Sequence, residues 1–196
     1  LDFDSAYPGT VVRRCTFRHG NNGNIDAIDV GPDSVSSLGV VIEDCLMYDF
    51  PFDKGVSIGE DSFDITVRNC LIHHVARGVQ VKDVSTASVY DCTIVNAEIG
   101  LHGYEKPPRA GGGRLTNSYN NILWNVANAI VIETNSTLVV NYSDLQATNW
   151  TGLGNISADP QFVNLAELDC RLQPGSPCRG TGRDGADMGA RLPVGA

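Results

Sequence analysis

The chain has 196 residues, a net charge of -9 and a sequence pI near 4.7. That acidity leaves no basic stripe for a phosphate backbone, which excludes nucleic acid as a partner, and no apolar run of about 18 residues offers a transmembrane segment. With 42% hydrophobic residues, 21 glycines and only 7% aromatics, the composition allows one sizeable core built from small and aliphatic side chains.

In chain order, Leu1-Asp-Phe3 opens as a short alternating segment, and Val12-Arg-Arg-Cys15-Thr-Phe17 follows. After the turn-formers Asn21-Asn-Gly-Asn24 comes a second kind of phrase, Ala27-Ile-Asp-Val30, closed by Gly31-Pro-Asp33. Both phrases then return. The first recurs as Ile42-Glu-Asp-Cys45-Leu-Met47, Val67-Arg-Asn-Cys70-Leu-Ile72 and Val89-Tyr-Asp-Cys92-Thr-Ile94. Between these copies lie Gly55-Val-Ser-Ile58, Gly78-Val-Gln-Val81 and, more loosely, Gly100-Leu-His-Gly103 and Ala129-Ile-Val-Ile132. Each phrase alternates apolar and polar residues over four to six positions and is rich in Val and Ile, which is strand period.

The four cysteines stand 30, 25 and 22 positions apart. Such a period means one supersecondary unit per repeat, and short strands at that spacing predict an all-β, parallel β-helix solenoid of about 6–7 coils. Equivalent residues then form ladders along the axis, with rungs roughly 4.8 Å apart. Cys15, Cys45, Cys70 and Cys92 are expected to make one inward ladder of inert thiols, continued by Ser118 or Asn121. Val12, Ile42, Val67, Val89 and Leu115 are expected beside it. Asp44, Asn69, Asp91 and Asn117 are placed at the corner before it, where Asn and Asp tolerate left-handed backbone.

Coils are expected over residues 1–159, with 160–196 wrapping and capping the last one through Phe162, Leu168 and Leu172. The opening inside a strand reads as a fragment or a processed chain. Cys170 and Cys178 flank Pro174-Gly175, which can reverse the chain, so a disulfide is expected there, together with an oxidising compartment.

The repeated phrases, with Gly154-Asn-Ile-Ser-Ala-Asp-Pro-Gln-Phe-Val163, Arg171-Leu-Gln-Pro-Gly-Ser-Pro177 and the ending Asp184-Gly-Ala-Asp-Met-Gly-Ala190, resemble bacterial right-handed parallel β-helix proteins of the pectate-lyase-like superfamily. The resemblance covers nearly the whole chain. It implies a secreted (extracellular or periplasmic) monomer that meets a polysaccharide or cell-surface glycan. That superfamily includes polysaccharide lyases, glycoside hydrolases, epimerases and adhesins, so the fold does not select an activity.

The site must then lie on outward columns. If Ile28 and Val30 point inward, one outward column is Asp2, Asp29, Ser57, Gln80, His102, Val131, and the next is Asp4, Gly31, Gly59, Lys82, Tyr104, Glu133. A solenoid face is long and shallow and suits an extended polymer. β-Elimination on an acidic polysaccharide needs a base and a cation beside the substrate carboxylate. Lys82, His102 and Tyr104 are the catalytic candidates, and Asp26, Asp29 and Asp53 the candidate calcium ligands. Asp29, Lys54, Arg77, Gln80 and Glu105 are the candidate substrate contacts, and the insertion Glu105–Gly113 is expected to wall one side. Hydrolysis needs two carboxylates instead. Here Asn24-Ile-Asp26-Ala-Ile-Asp29, Asp53-Lys54 and Val81-Lys82 are similar to the motif series of polygalacturonases, departing from it at Lys54 and Gln80 and in lacking an intervening His-Gly pair. The other reading is a non-catalytic structural or surface-binding segment of a larger extracellular protein.

Overall fold

The computed structural model describes residues 1–31 and 35–192, so Pro32 and Asp33 of the expected turn lie outside the described residues. In chain order the strands are β1 (Asp2–Phe3), β2 (Val11–Arg13), β3 (Thr16–Arg18), β4 (Ile28–Val30), β5 (Val41–Glu43), β6 (Leu46–Ile58), β7 (Ile65–Arg68) and β8 (Leu71–Lys82). They continue as β9 (Thr86–Tyr90), β10 (Thr93–Tyr104), β11 (Arg114–Tyr119), β12 (Ile122–Ile132), β13 (Thr137–Asn141), β14 (Asp144–Leu145), β15 (Phe162–Asn164) and β16 (Asp169–Leu172).

Among the described residues, one sheet runs β1-β4-β6-β8-β10-β12-β14 with β3 also beside β6, and a second runs β13-β11-β9-β7-β5-β2. Every pair in both sheets is parallel, which makes the molecule a parallel β-solenoid of about six turns. The long strands β6, β8, β10 and β12 bend at Asp49, His74, Asn96 and Asn125, all with positive φ, so one strand serves two faces. Ala27, Gly55, Gly78, Gly100 and Ala129 stack at equivalent positions just before the next face. A Cβ on Gly78 would stand 2.6 Å from the Gly100 carbonyl oxygen of the next rung, so this column must stay small.

Cys45, Cys70 and Cys92 are fully buried, and Cys15 heads the ladder, partly exposed on the first coil. The amide N–H groups of Leu46, Leu71, Thr93 and Ile122 donate to the carbonyls of Cys15, Cys45, Cys70 and Cys92, which fixes the alignment. Each thiol donates to the carbonyl two residues before it, as in Cys45 to Glu43 at 3.1 Å and Cys70 to Arg68 at 3.2 Å. The ladder goes on through Asn121 and then Ser143, whose carbonyls receive Asp144 and Ile156. Ser118 instead lies opposite Val89.

That shift corrects two expectations. β11 carries a bulge between Leu115 and Ser118, one residue more than its neighbour β9. Leu115, just before the bulge, pairs with Ala87 and joins the Ile65–Ala87–Leu138 column rather than the Val89 column. The corner is likewise held by Asn120, not Asn117, at φ 55° beside Asp44, Asn69 and Asp91. Its amides tie successive rungs, with Asn69 Nδ2 donating to Asp44 at 2.8 Å and Asn120 Nδ2 to Asp91 at 3.0 Å.

Past β14 the chain forms the antiparallel pair β15–β16 and then runs back along the flank of the coil. The N–H groups of Arg183, Ala190 and Arg191 donate to Asn120 Oδ1 (2.7 Å), Thr93 Oγ1 (2.9 Å) and Asn69 Oδ1 (2.7 Å), so this wrap spans three successive rungs. Phe162 and Leu172, expected over the open end of the core, pack instead with Cys178 and Met188 over Leu71, Val95 and Ile122. Those outward side chains on the flank are apolar, and covering each is worth about 2 kcal/mol.

The expected Cys170–Cys178 disulfide is not formed: both are free thiols. Cys178 is buried in the flank cluster and donates to Asp144 Oδ2 at 3.1 Å, while Cys170, on β16, packs partly buried against the same cluster. Burial pushes the Cys178 thiol well above its ordinary range, and it lifts the Asp144 carboxyl to about 6.

Candidate functional site

The outward columns align as the alternation requires. Asp2, Asp29, Ser57, Gln80, His102 and Val131 are register partners on successive strands. From Asp29 to His102 this is three rungs, about 14 Å. The column is far less exposed than an outward row would suggest: Ser57, Gln80 and His102 are all buried and Asp29 is half-buried. Asp29 Oδ1 and Ser57 Oγ, neighbours in it, are buried with no hydrogen-bond partner. On the next rung Arg77 Nε is buried and unpaired as well.

His102 sits in a chain of side chains. Gln80 Nε2 lies 2.7 Å from its Nδ1, and Glu133 Oε1 lies 2.9 Å from its Nε2. That network assigns the proton to Nε2, which donates to Glu133. Burial lowers the imidazole pKa, partly offset by Glu133, so His102 is neutral at pH 7. The Tyr104 ring lies 5.5 Å from the imidazole, tilted by 31°.

Lys82 is buried and its Nζ reaches Glu60 Oε1 at 3.1 Å. Its stem lies across Gly59, and the Glu60 carboxylate lies across Gly31; a side chain at either glycine would collide with them. Lys106 Nζ stands 3.9 Å from the same Glu60 oxygen. Glu105 is used locally, accepting from Gly111 N at 2.8 Å and from Asn135 Nδ2 at 2.7 Å, and so folds its own insertion. That insertion is tied to the corner beyond Lys82, through Lys106 N to Asp83 Oδ1 (3.0 Å) and Arg109 to Asp61 (3.1 Å).

A second cluster forms where the face begins. Lys54 Nζ bonds both Asp53 and Asp26, the latter at 3.2 Å, and Lys54 N–H donates to Asp26 Oδ1 at 3.1 Å. Burial, with Asp53 beside it, pushes the Asp26 carboxyl up to about 7 against the opposing pull of Lys54. Asp53 is buried too, yet its hydrogen bonds to Asp26 and Lys54 hold it below the ordinary range. The two carboxyl groups thus share a proton near neutral pH.

The structure therefore brings together part of the expected site and separates the rest. Asp29, Gln80 and His102 share one column, with Lys82 and Tyr104 in the next. Lys82 engages Glu60, not the Asp26 and Asp29 carboxylates. The calcium ligand set expected of Asp26, Asp29 and Asp53 does not assemble: among the described residues no cluster of three or more acidic, His or Cys side chains is arranged to hold a metal. The Lys54 ammonium already occupies the place between two of them. Ser57 enters the site only through the column register, and Glu60, at a corner flanking the face, is the partner of Lys82 that the sequence does not single out.

The family model for the right handed beta helix region matches residues 4–164. The chain belongs to that family. No curated protein sequence matches it. The match to this β-helix family covers the outward columns except Asp2 and ends before β16 and most of the flank wrap. No helix among the described residues is long and apolar enough to cross a membrane.

Proposed function

We propose that this β-helix protein is secreted and binds a polysaccharide along the Asp29–Ser57–Gln80–His102 column. The observation that carries the reading is the pair of buried, unpaired acceptors on adjacent rungs, Asp29 Oδ1 and Ser57 Oγ, with the unpaired Arg77 Nε one rung on. Leaving such groups unsatisfied costs about 1–3 kcal/mol each. Sugar hydroxyls both donate and accept, at a spacing an extended chain can repeat along a solenoid, so one ligand type answers all three.

A second reading, hydrolysis of the bound glycan, is favoured by Asp26. A carboxyl group with a pKa of about 7 is protonated often enough at neutral pH to act as a general acid. Asp29 lies near enough to raise that pKa and keeps a free oxygen for a base or nucleophile. Lys82, committed to Glu60, is the weaker candidate for abstracting a proton.

The test is a panel of acidic and neutral polysaccharides scored for binding, new reducing ends and unsaturated products, with and without calcium. Binding weakened at least tenfold by Asp29→Asn supports the first reading. New reducing ends that vanish in Asp26→Asn, with binding kept, support the second. Unsaturated products would replace hydrolysis by elimination. Absence of binding to every glycan would leave the structural-segment alternative and end both readings.

A further inference from the structure

A second concave feature lies away from the glycan face. It is a cleft of about 680 Å³ between the coil and the flank wrap, within the range of small-molecule sites. Leu46 and Leu71 from β6 and β8 form one wall, and Leu172, Met188 and Leu192 from the wrap form the other. Tyr48 and His73, also lining it, stack as parallel plates with centroids 4.9 Å apart and 6° between planes. His73 is 5% exposed and its Nε2 is buried without any hydrogen-bond partner.

The formal charges on the rim cancel, with Arg171, Arg179 and Arg191 against Glu167, Asp169 and Asp187. Arg171 is held by Asp169 in a two-point pair at 2.7 and 2.6 Å, and Arg179 and Arg191 donate to the backbone carbonyls of Leu172 (3.5 Å) and Asp187 (3.2 Å). An apolar floor under a neutralised rim disfavours a charged guest. A flat aromatic plate and one unmet imidazole nitrogen favour a flat guest with one hydroxyl. We propose that this cleft binds an uncharged aromatic alcohol, its ring between the leucine walls and its O–H donated to His73 Nε2. Burial lowers the His73 pKa to about 4, so the ring is neutral and one nitrogen is free to accept. This site is independent of the glycan column, which lies on the other face of the same long strands.

Fluorescence titration of the full chain with 2-naphthol, naphthalene and 2-naphthoate tests the assignment. 2-Naphthol should bind at least tenfold more tightly than naphthalene, the difference a buried hydrogen bond supplies, and more tightly than the naphthoate anion. His73→Phe keeps a ring in place but removes the acceptor, so 2-naphthol should fall to the naphthalene level while naphthalene is unchanged. Leu172→Arg, on the wrap and outside the coil core, should abolish binding of both while the far-ultraviolet spectrum is retained. No binding of 2-naphthol, or a naphthol-to-naphthalene ratio untouched by His73→Phe, would overturn the proposal.

Discussion

Asp26 shows how one side chain can work against stability. Its carboxyl is pushed up to about 7, chiefly by burial, whereas an unfolded Asp titrates near ~4. The folded state therefore binds the extra proton between those values, and its stability falls as pH rises through that window. Asp26→Asn keeps the oxygen that accepts from Lys54 N–H and leaves Lys54 to Asp53. The variant should melt at a higher temperature than the parent at pH 8 and show little difference at pH 4, read by calorimetry at both values. If Asp26 is also the general acid, the same variant will be more stable and inactive, a familiar exchange at functional sites. Its presence on an outward edge was legible from Asp26-Ala-Ile-Asp29. Its raised pKa was not, because that depends on Asp53 and Lys54 arriving from the next coil.

At the scale of the strand, the small-residue column sets what each rung can tolerate. A Cβ at Gly78 would meet the Gly100 oxygen at 2.6 Å and the Ile94 side chain at 2.7 Å, whereas one at Gly23 would meet nothing within 4 Å. Backbone from a neighbouring rung cannot move aside cheaply in a packed ladder. Gly78→Ala should cost about 1–3 kcal/mol in urea unfolding, and Gly23→Ala should stay within about 0.5 kcal/mol of the parent. The alternation of Gly78-Val-Gln-Val81 and its relatives was enough to align every outward column from Asp29 to Val131. It failed at β11, where Leu115 and Asn117 looked like further copies of the repeat. The true equivalents, Ser118 and Asn120, lie three residues further on, and the polar run at residues 116–121, with the bulge inside it, carries no apolar-polar signature to mark them.

Over the whole molecule, stability depends on two layers, the coil and the segment laid along it. The cysteine phrase foretold the first, because its buried thiols mark an inward position that repeats on every turn. The second was misplaced: Phe162 and Leu172 were read as an end cap, since a one-dimensional pattern does not reveal that Leu46, Leu71 and Ile122 face outward and need cover. Asn120 joins the layers, its Oδ1 accepting from Arg183 and its carbonyl from Gly189. Asn120→Ala removes the first bond, the amide tie to Asp91 and a residue suited to φ 55°. Hydrogen exchange should then quicken at the Arg183, Gly189 and Ala190 amides, while those of Val79 and Leu101 keep their protection. Equal acceleration everywhere would mean that coil and wrap open as one unit.

The stitching of the wrap to Asn120, Thr93 and Asn69 also gives the solenoid a mechanical polarity. A stack of coils alone would unravel rung by rung when pulled from its C-terminus. Here the pulled end is sewn back across the middle of the stack, so load applied there is shared in shear by three rungs before the last coil feels any tension.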